Sequence, residues 1–149
     1  MARHRLGGDR SDFNLLVPAL LEQGYVVLAY DARGTGRSNA MADGTVVRPG
    51  RDPERHRARM PRDVAAGIAH LRHRPDVDAR RIAIVGASFG ANVAMTSTAR
   101  RPRPAAAVAL SPIAADVLVG RDADERPRAT LFIASRAELA GAWQLARRT

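Results

Sequence analysis

Gly86-Ala87-Ser88-Phe89-Gly90 lies between two runs of opposite character. Before it, Arg81-Ile82-Ala83-Ile84-Val85 is a short, nearly continuous apolar run, the pattern of a strand buried on both faces. After it, residues 89–100 carry a small-residue helical pattern. A strand that becomes a helix this abruptly must reverse direction at Ser88. Residues two positions to either side then crowd one another, and glycine at 86 and 90 removes the side chains expected to clash. Such a turn holds the Ser88 hydroxyl above the C-terminal edge of a sheet. It also puts the Phe89 N–H at a helix N-terminus, where it can donate to an oxyanion. The competing reading is a glycine-flanked turn whose serine caps the helix.

The rest of the chain repeats the alternation. Residues 11–23 predict an amphipathic helix, with Ser11 as N-cap, Phe13, Leu16, Val17, Leu20 and Leu21 on one face, and Gly24 at C′. Pro18 should kink that helix or restart it. Tyr25–Tyr30 predicts a strand buried on both faces, followed by Asp31 and a glycine-rich loop. Residues 61–73 predict a second helix from Val64, Ile68 and Leu71, with Pro61 at N1. Ala105–Leu110 and Ala129–Ala134 are further apolar runs, and Glu138–Arg148 reads as helix. Strands alternating with helices imply an α/β fold: a mostly parallel sheet with right-handed crossovers, in one domain over 1–149.

Composition narrows the function classes. There is no cysteine, which excludes disulfides, thiolate metal sites and a cysteine nucleophile. No apolar window is long enough for a transmembrane helix, and the basic N-terminus lacks the apolar region of a secretory signal. A cytoplasmic protein with no membrane partner is the expectation. No spacing of His, Asp or Glu suits a metal, so neither metal nor cofactor is expected. Gly34-Thr35-Gly36 does not open a dinucleotide fingerprint, because position 39 is Asn39. A P-loop is excluded because the chain has no lysine. All 24 basic residues are arginine, against 15 Asp and Glu, for a formal net charge of +9. Arginine without lysine, beside 29 alanines, points to coding bias more than to selection for charge. Few aromatics are present to stack on bases, so nucleic acid is not the expected partner. With so many alanines, the larger apolar side chains are expected to build the core almost alone.

Taken together, these segments resemble the α/β-hydrolase family over nearly the whole chain, most closely its compact dienelactone-hydrolase-like and small esterase-like members. The elbow 86–90 carries the resemblance. So does Asp31-Ala32-Arg33-Gly34-Thr35-Gly36-Arg37-Ser38, which is similar to the family's D-x-R-G-x-G-x-S loop after its fourth strand. Leu6–Phe13 is similar to the tail of the H-G-x-G-G segment, Leu110-Ser111-Pro112 to the end of the sixth strand, and Leu131–Ala134 to the seventh. The resemblance implies a partial α/β-hydrolase fold lacking the first three strands and the last. It implies Ser88 as nucleophile on a small ester or related acyl substrate, with the Phe89 and Leu6 N–H groups as oxyanion donors. Glu138, a few residues past the seventh strand, is the candidate acid. An ordinary helix-N-terminal carboxylate is the equal alternative. Asp116, Asp122, Asp124 and Glu125 are backups, read first as solvated loop charges.

The resemblance also exposes departures. In the family the histidine base follows the acid, whereas His4, His56, His70 and His73 all precede Ser88. His70 and His73 read as a solvated helix end. Arg5 stands where the oxyanion segment has glycine. The family's third strand, which lies between the fourth and fifth, has no counterpart. That leaves a slot of about 4.8 Å to each side that a second chain could fill by self-association. Three readings follow: a serine hydrolase impaired by the missing histidine, a non-catalytic degenerate hydrolase domain acting by interaction, and arginine-mediated nucleic-acid binding.

Overall fold

A computed structural model of the chain describes residues 8–46, 58–113 and 128–147. The chain divides into two compact units, Met1–Asp63 and Val64–Thr149.

In the first unit the helix expected at 11–23 is split. Asp9, not Ser11, is the cap: its carboxylate accepts from the Ser11 N–H at 2.8 Å, and a 3₁₀ turn follows over Arg10–Phe13. The α-helix α1 begins only at Leu16 and runs Leu16–Glu22. Pro18 is therefore in its first turn, where a missing N–H costs nothing, so the proline restarts the helix. Gly24 takes the C′ position at φ +79. The Gly24 N–H donates to the Leu21 carbonyl (2.9 Å) and the Tyr25 N–H to that of Leu20 (3.1 Å), a Schellman stop. The apolar face of α1 is not buried: no residue of the helix is, and Leu21 is 54% exposed.

The expected strand 25–30 is corrected as well. It joins no ladder among the described residues, and Tyr25, Val26, Leu28 and Tyr30 are all exposed. An apolar run becomes a strand only where a partner edge accepts its N–H and C=O groups.

The glycine-rich loop after it is tightly held. It wraps the buried Asp31, whose two oxygens accept the Arg10 N–H and the Arg37 N–H, each at 2.9 Å. Gly36 has φ +47, and a Cβ there would collide with the Asp31 carboxylate, its Cγ only 2.5 Å away. Arg33 clamps the loop to Asp63 through a bidentate pair, with Nε 3.0 and 2.9 Å from the two carboxylate oxygens. That bond holds the Arg33 guanidinium above its ordinary range.

The two backbone N–H bonds hold the Asp31 carboxyl below its ordinary range. The folded group thus binds its proton more weakly than the unfolded one. Its stabilisation is complete above the unfolded value of about 3.9 and is lost as pH falls through the folded value. In an NMR titration the Arg10 and Arg37 amide shifts should move together, with a midpoint below about 3.9. A midpoint at or above that value would contradict the assignment of those bonds.

The second unit contains the sheet. Helix α2 (Met60–Arg72) leads into it and buries Val64 and Ile68 as expected, with Leu71 only half-buried. Strand β1 (Ala83–Ala87), helix α3 (Phe89–Ser97), strand β2 (Ala106–Leu110) and strand β3 (Thr130–Ile133) follow. A 3₁₀ turn (Arg136–Glu138) and helix α4 (Leu139–Ala146) come last. The three strands are parallel in the order β1-β2-β3, with Val85 opposite Val108 and Val108 opposite Leu131. This is the α/β architecture the alternation implied.

The core differs from expectation in its residues. Among the described residues, five of the ten buried apolar ones are alanines: Ala91, Ala94, Ala107, Ala109 and Ala142. Helix α3 packs against both β1 and β2, and Ala91–Ser97 are all buried. Small side chains on helix and sheet let the two backbones approach, so alanine is used for closeness instead of bulk.

The other face of the sheet is less covered. Val85, Val108 and Leu110 are half-buried, and Leu131 and Ile133 are 58% and 50% exposed. The expected burial on both faces therefore holds on the α3 side only. Ile82 accepts from, and Ser88 donates to, residues of the β2 segment. By strand alternation the N–H and C=O groups of Ala83, Val85 and Ala87 point away from β2. No strand pairs with that edge among the described residues.

Candidate active site

The elbow forms at the C-terminal end of β1. Ser88 donates its N–H to the Leu110 carbonyl at 2.9 Å, the last rung between β1 and β2. Its carbonyl accepts from Ala91 at 3.0 Å, the first rung of α3. One residue thus ends the strand and starts the helix. Its backbone is at φ +53, ψ −121, a conformation L-residues avoid, worth of order 1–3 kcal/mol of strain. The Ser88 side chain makes no capping hydrogen bond to the helix. That removes the alternative reading, because a capping serine has extended backbone and an engaged hydroxyl.

The crowding at the elbow is one-sided. A Cβ on Gly86 would collide with the Gly90 carbonyl group and lie 2.9 Å from the Ala91 nitrogen. A Cβ on Gly90 would meet nothing within 4 Å. The expectation that both glycines relieve a clash is corrected: helix backbone at 90 presses on residue 86, and the side-chain position at 90 faces open space.

Phe89 is the first residue of α3, so its N–H belongs to the first-turn set at that helix N-terminus. Leu6, the other expected oxyanion donor, lies outside the described residues, as do His4, His56, Asp116, Asp122, Asp124 and Glu125.

Glu138 follows the C-terminal end of β3, so topology puts it at the same end of the sheet as Ser88. Its Oε2 accepts from the Ser135 hydroxyl at 2.7 Å and the Ser135 N–H at 3.2 Å. Those bonds are the ones a capping carboxylate makes. His70 and His73 are exposed at the end of α2, which delivers the chain to the start of β1. They therefore lie at the end of the sheet opposite Ser88, and His73 Nδ1 is bonded to the Ala69 carbonyl of its own helix.

Asn92 is a positioning residue the sequence did not reveal. It is fully buried one turn into α3. Its amide donates to the Ile113 carbonyl (2.8 Å) and accepts the Ile113 N–H (3.1 Å), so both polar groups of one loop residue are held by one side chain. This fixes the loop after β2 beside the elbow helix. Ser111, in that loop, is itself at φ +46. An asparagine inside a helical run is a weak signal, and its partner lies 21 residues away. Asn92→Leu should destabilise the second unit by about 1–2 kcal/mol, because two part-buried backbone groups of Ile113 lose their partner. Urea denaturation measures this, and a change under about 0.5 kcal/mol would mean that water replaces the amide.

The model of a family described as serine aminopeptidase, S33, matches residues 1–140. The chain belongs to that family, within the α/β-hydrolases. Neither the curated proteins nor the solved structures include a match. As a member of this family the chain is a hydrolase of the α/β type, and its parallel sheet flanked by helices is a partial version of that fold. No helix among the described residues is long and apolar enough to cross a membrane. No group of three His, Asp or Glu that could hold a metal occurs among them.

Proposed function

We propose that this chain is a serine-dependent acyl hydrolase domain, 1–149 acting as one domain, with Ser88 as nucleophile. The single observation that carries the reading is the Ser88 backbone at φ +53 with its hydroxyl unused by the helix it begins. Strain of this kind persists where it aims a side chain at a ligand. Ser88 Oγ attacks the carbonyl carbon of a small ester or of an amide. The carbonyl π pair moves to oxygen, which the Phe89 N–H receives. Collapse of that oxyanion breaks the C–O or C–N bond, the departing alcohol or amine takes up the proton that Ser88 Oγ gives to solvent water, and an acyl-serine is left for water to cleave. The family description names an aminopeptidase, which extends the substrate class from esters to the amide bond of an N-terminal residue. The match across both compact units supports a single domain.

The base is the weak point of this chemistry. Attack requires a group to take the Oγ proton, and no histidine follows Ser88 in the sequence. Glu138 would orient such a histidine, yet its carboxylate is bonded to Ser135. We therefore assign this chain slow acylation and little turnover. The Glu138 cap also favours a second reading, a non-catalytic hydrolase domain that acts by interaction.

A fluorophosphonate probe separates the two, because it needs an activated serine but no turnover. The expected result is slow labelling of Ser88, absent in Ser88→Ala, with p-nitrophenyl acetate turnover near background. A Ser88 inert to the probe would support the interaction reading. Robust turnover that Ser88→Ala abolishes would show that a base is present.

A further inference from the structure

The second unit carries 13 arginines against 7 Asp and Glu, and they are not spread evenly over it. Arg72 closes α2, Arg81 precedes β1, Arg101 and Arg103 precede β2, and Arg128 precedes β3. Parallel strands begin at the same end of a sheet, so the topology gathers these segments on the rim opposite Ser88. Hydrogen bonds tie the segments together. Arg72 donates to the Arg103 carbonyl at 3.2 Å, the Ala105 N–H to the Ile82 carbonyl at 2.7 Å, and the Arg128 N–H to Thr98 Oγ1 at 2.7 Å.

Few carboxylates lie there among the described residues. Among the described residues of this rim only Asp76 and Asp78 are acidic, and they pair with Arg74 and Arg80. A second observation points the same way. The Nε of Arg103 is buried and has no hydrogen-bond partner among the described residues. A buried donor left unsatisfied is destabilising, and an oxyanion seated on the rim would satisfy it.

We propose that this arginine rim binds the phosphate backbone of duplex nucleic acid. Guanidinium groups carried on several short segments suit a row of phosphates, to which they bind in bidentate fashion. The rim segments carry no Phe, Trp or Tyr, so they offer no platform for stacking unpaired bases. They expose no large apolar side chain, so nothing on them inserts into a lipid surface. Recognition is then by backbone charge, without sequence preference. The site is independent of Ser88, which lies at the other end of the sheet.

Fluorescence anisotropy with a labelled, mixed-sequence duplex DNA tests this. The native chain should bind at low salt, and affinity should fall linearly on a log–log plot against salt. The variant Arg81→Gln, Arg101→Gln, Arg128→Gln changes three exposed side chains. It should bind on the order of tenfold more weakly, with a salt slope shallower by about 0.9 for each phosphate that is no longer neutralised. A control variant, Arg10→Gln, Arg37→Gln, Arg62→Gln, removes the same charge from the first unit and should bind within about twofold of the native chain. Circular dichroism should show all three equally folded. Equal weakening in both variants would mean general charge attraction and would overturn the proposal. So would failure of the native chain to bind at low salt, or binding to phosphatidylserine vesicles but not to duplex DNA.

Discussion

Gly86→Ala should unfold or grossly loosen the second unit, while Gly90→Ala should be neutral or stabilising. The two substitutions are chemically identical and four residues apart. At position 86 the new methyl would collide with the carbonyl oxygen and carbon of Gly90 and lie 2.9 Å from the next nitrogen. All three are backbone atoms of the α3 entry, which cannot move without breaking the last rung to β2 or the first rung of the helix. Overpacking of this kind costs roughly 1–3 kcal/mol even where neighbours can give, so the larger end or beyond is expected here. At position 90 the methyl enters open space inside a helix, where alanine is preferred to glycine by about 1 kcal/mol. Urea midpoints of the two variants against the native chain measure the contrast. Equal losses would mean that the elbow closes differently from the geometry described.

Ser88→Gly should make the protein more stable and remove its nucleophile in the same step. Serine at φ +53, ψ −121 is strained, and glycine adopts this region freely. Relief of about 1–3 kcal/mol is offset by roughly 0.5–1 kcal/mol from the greater freedom of glycine in the unfolded chain. A net gain near ~1 kcal/mol is expected. Ser88→Ala keeps the strain, so it should lose probe reactivity without the gain. Thermal denaturation of the three proteins, run beside fluorophosphonate labelling, tests both halves. If Ser88→Gly and Ser88→Ala were equally stable, the strain would not be stored at this residue. A site that gains stability when its chemistry is deleted has been shaped for something other than folding.

The stability and chemistry of the elbow meet in Asn92. The elbow defines where Ser88 points, and Asn92 defines what lies beside it by holding Ile113 at both polar groups. Neither the strained serine nor the buried amide helps the strand or helix it belongs to. Both serve the junction between them.

Much of the second unit was legible in its residues. The runs at 81–85, 105–110 and 129–134 became strands within two residues of expectation, because apolar runs punctuated by glycine and proline have few other uses. Gly24 as a helix stop and Ser88 as a strand–helix hinge were also legible, since each depends on neighbours a few residues away. What failed depends on partners far along the chain. Tyr25–Tyr30 has the composition of a buried strand but joins no ladder among the described residues, because pairing is decided by an edge elsewhere. The helix at 16–22 has an apolar face that stays exposed for the same kind of reason.

The sequence by itself determined the local chemistry: a nucleophile elbow, an arginine-only charge, and four histidines that all precede Ser88. Tertiary structure alone decided which glycine the elbow needs, since steric conflict exists only once β1 and the start of α3 are folded against each other. It decided that alanines fill half of the core among the described residues, because the value of a small side chain lies in how closely a helix and a sheet approach. It also decided that arginines scattered from Arg72 to Arg128 share one rim, because parallel strands begin at the same end of a sheet.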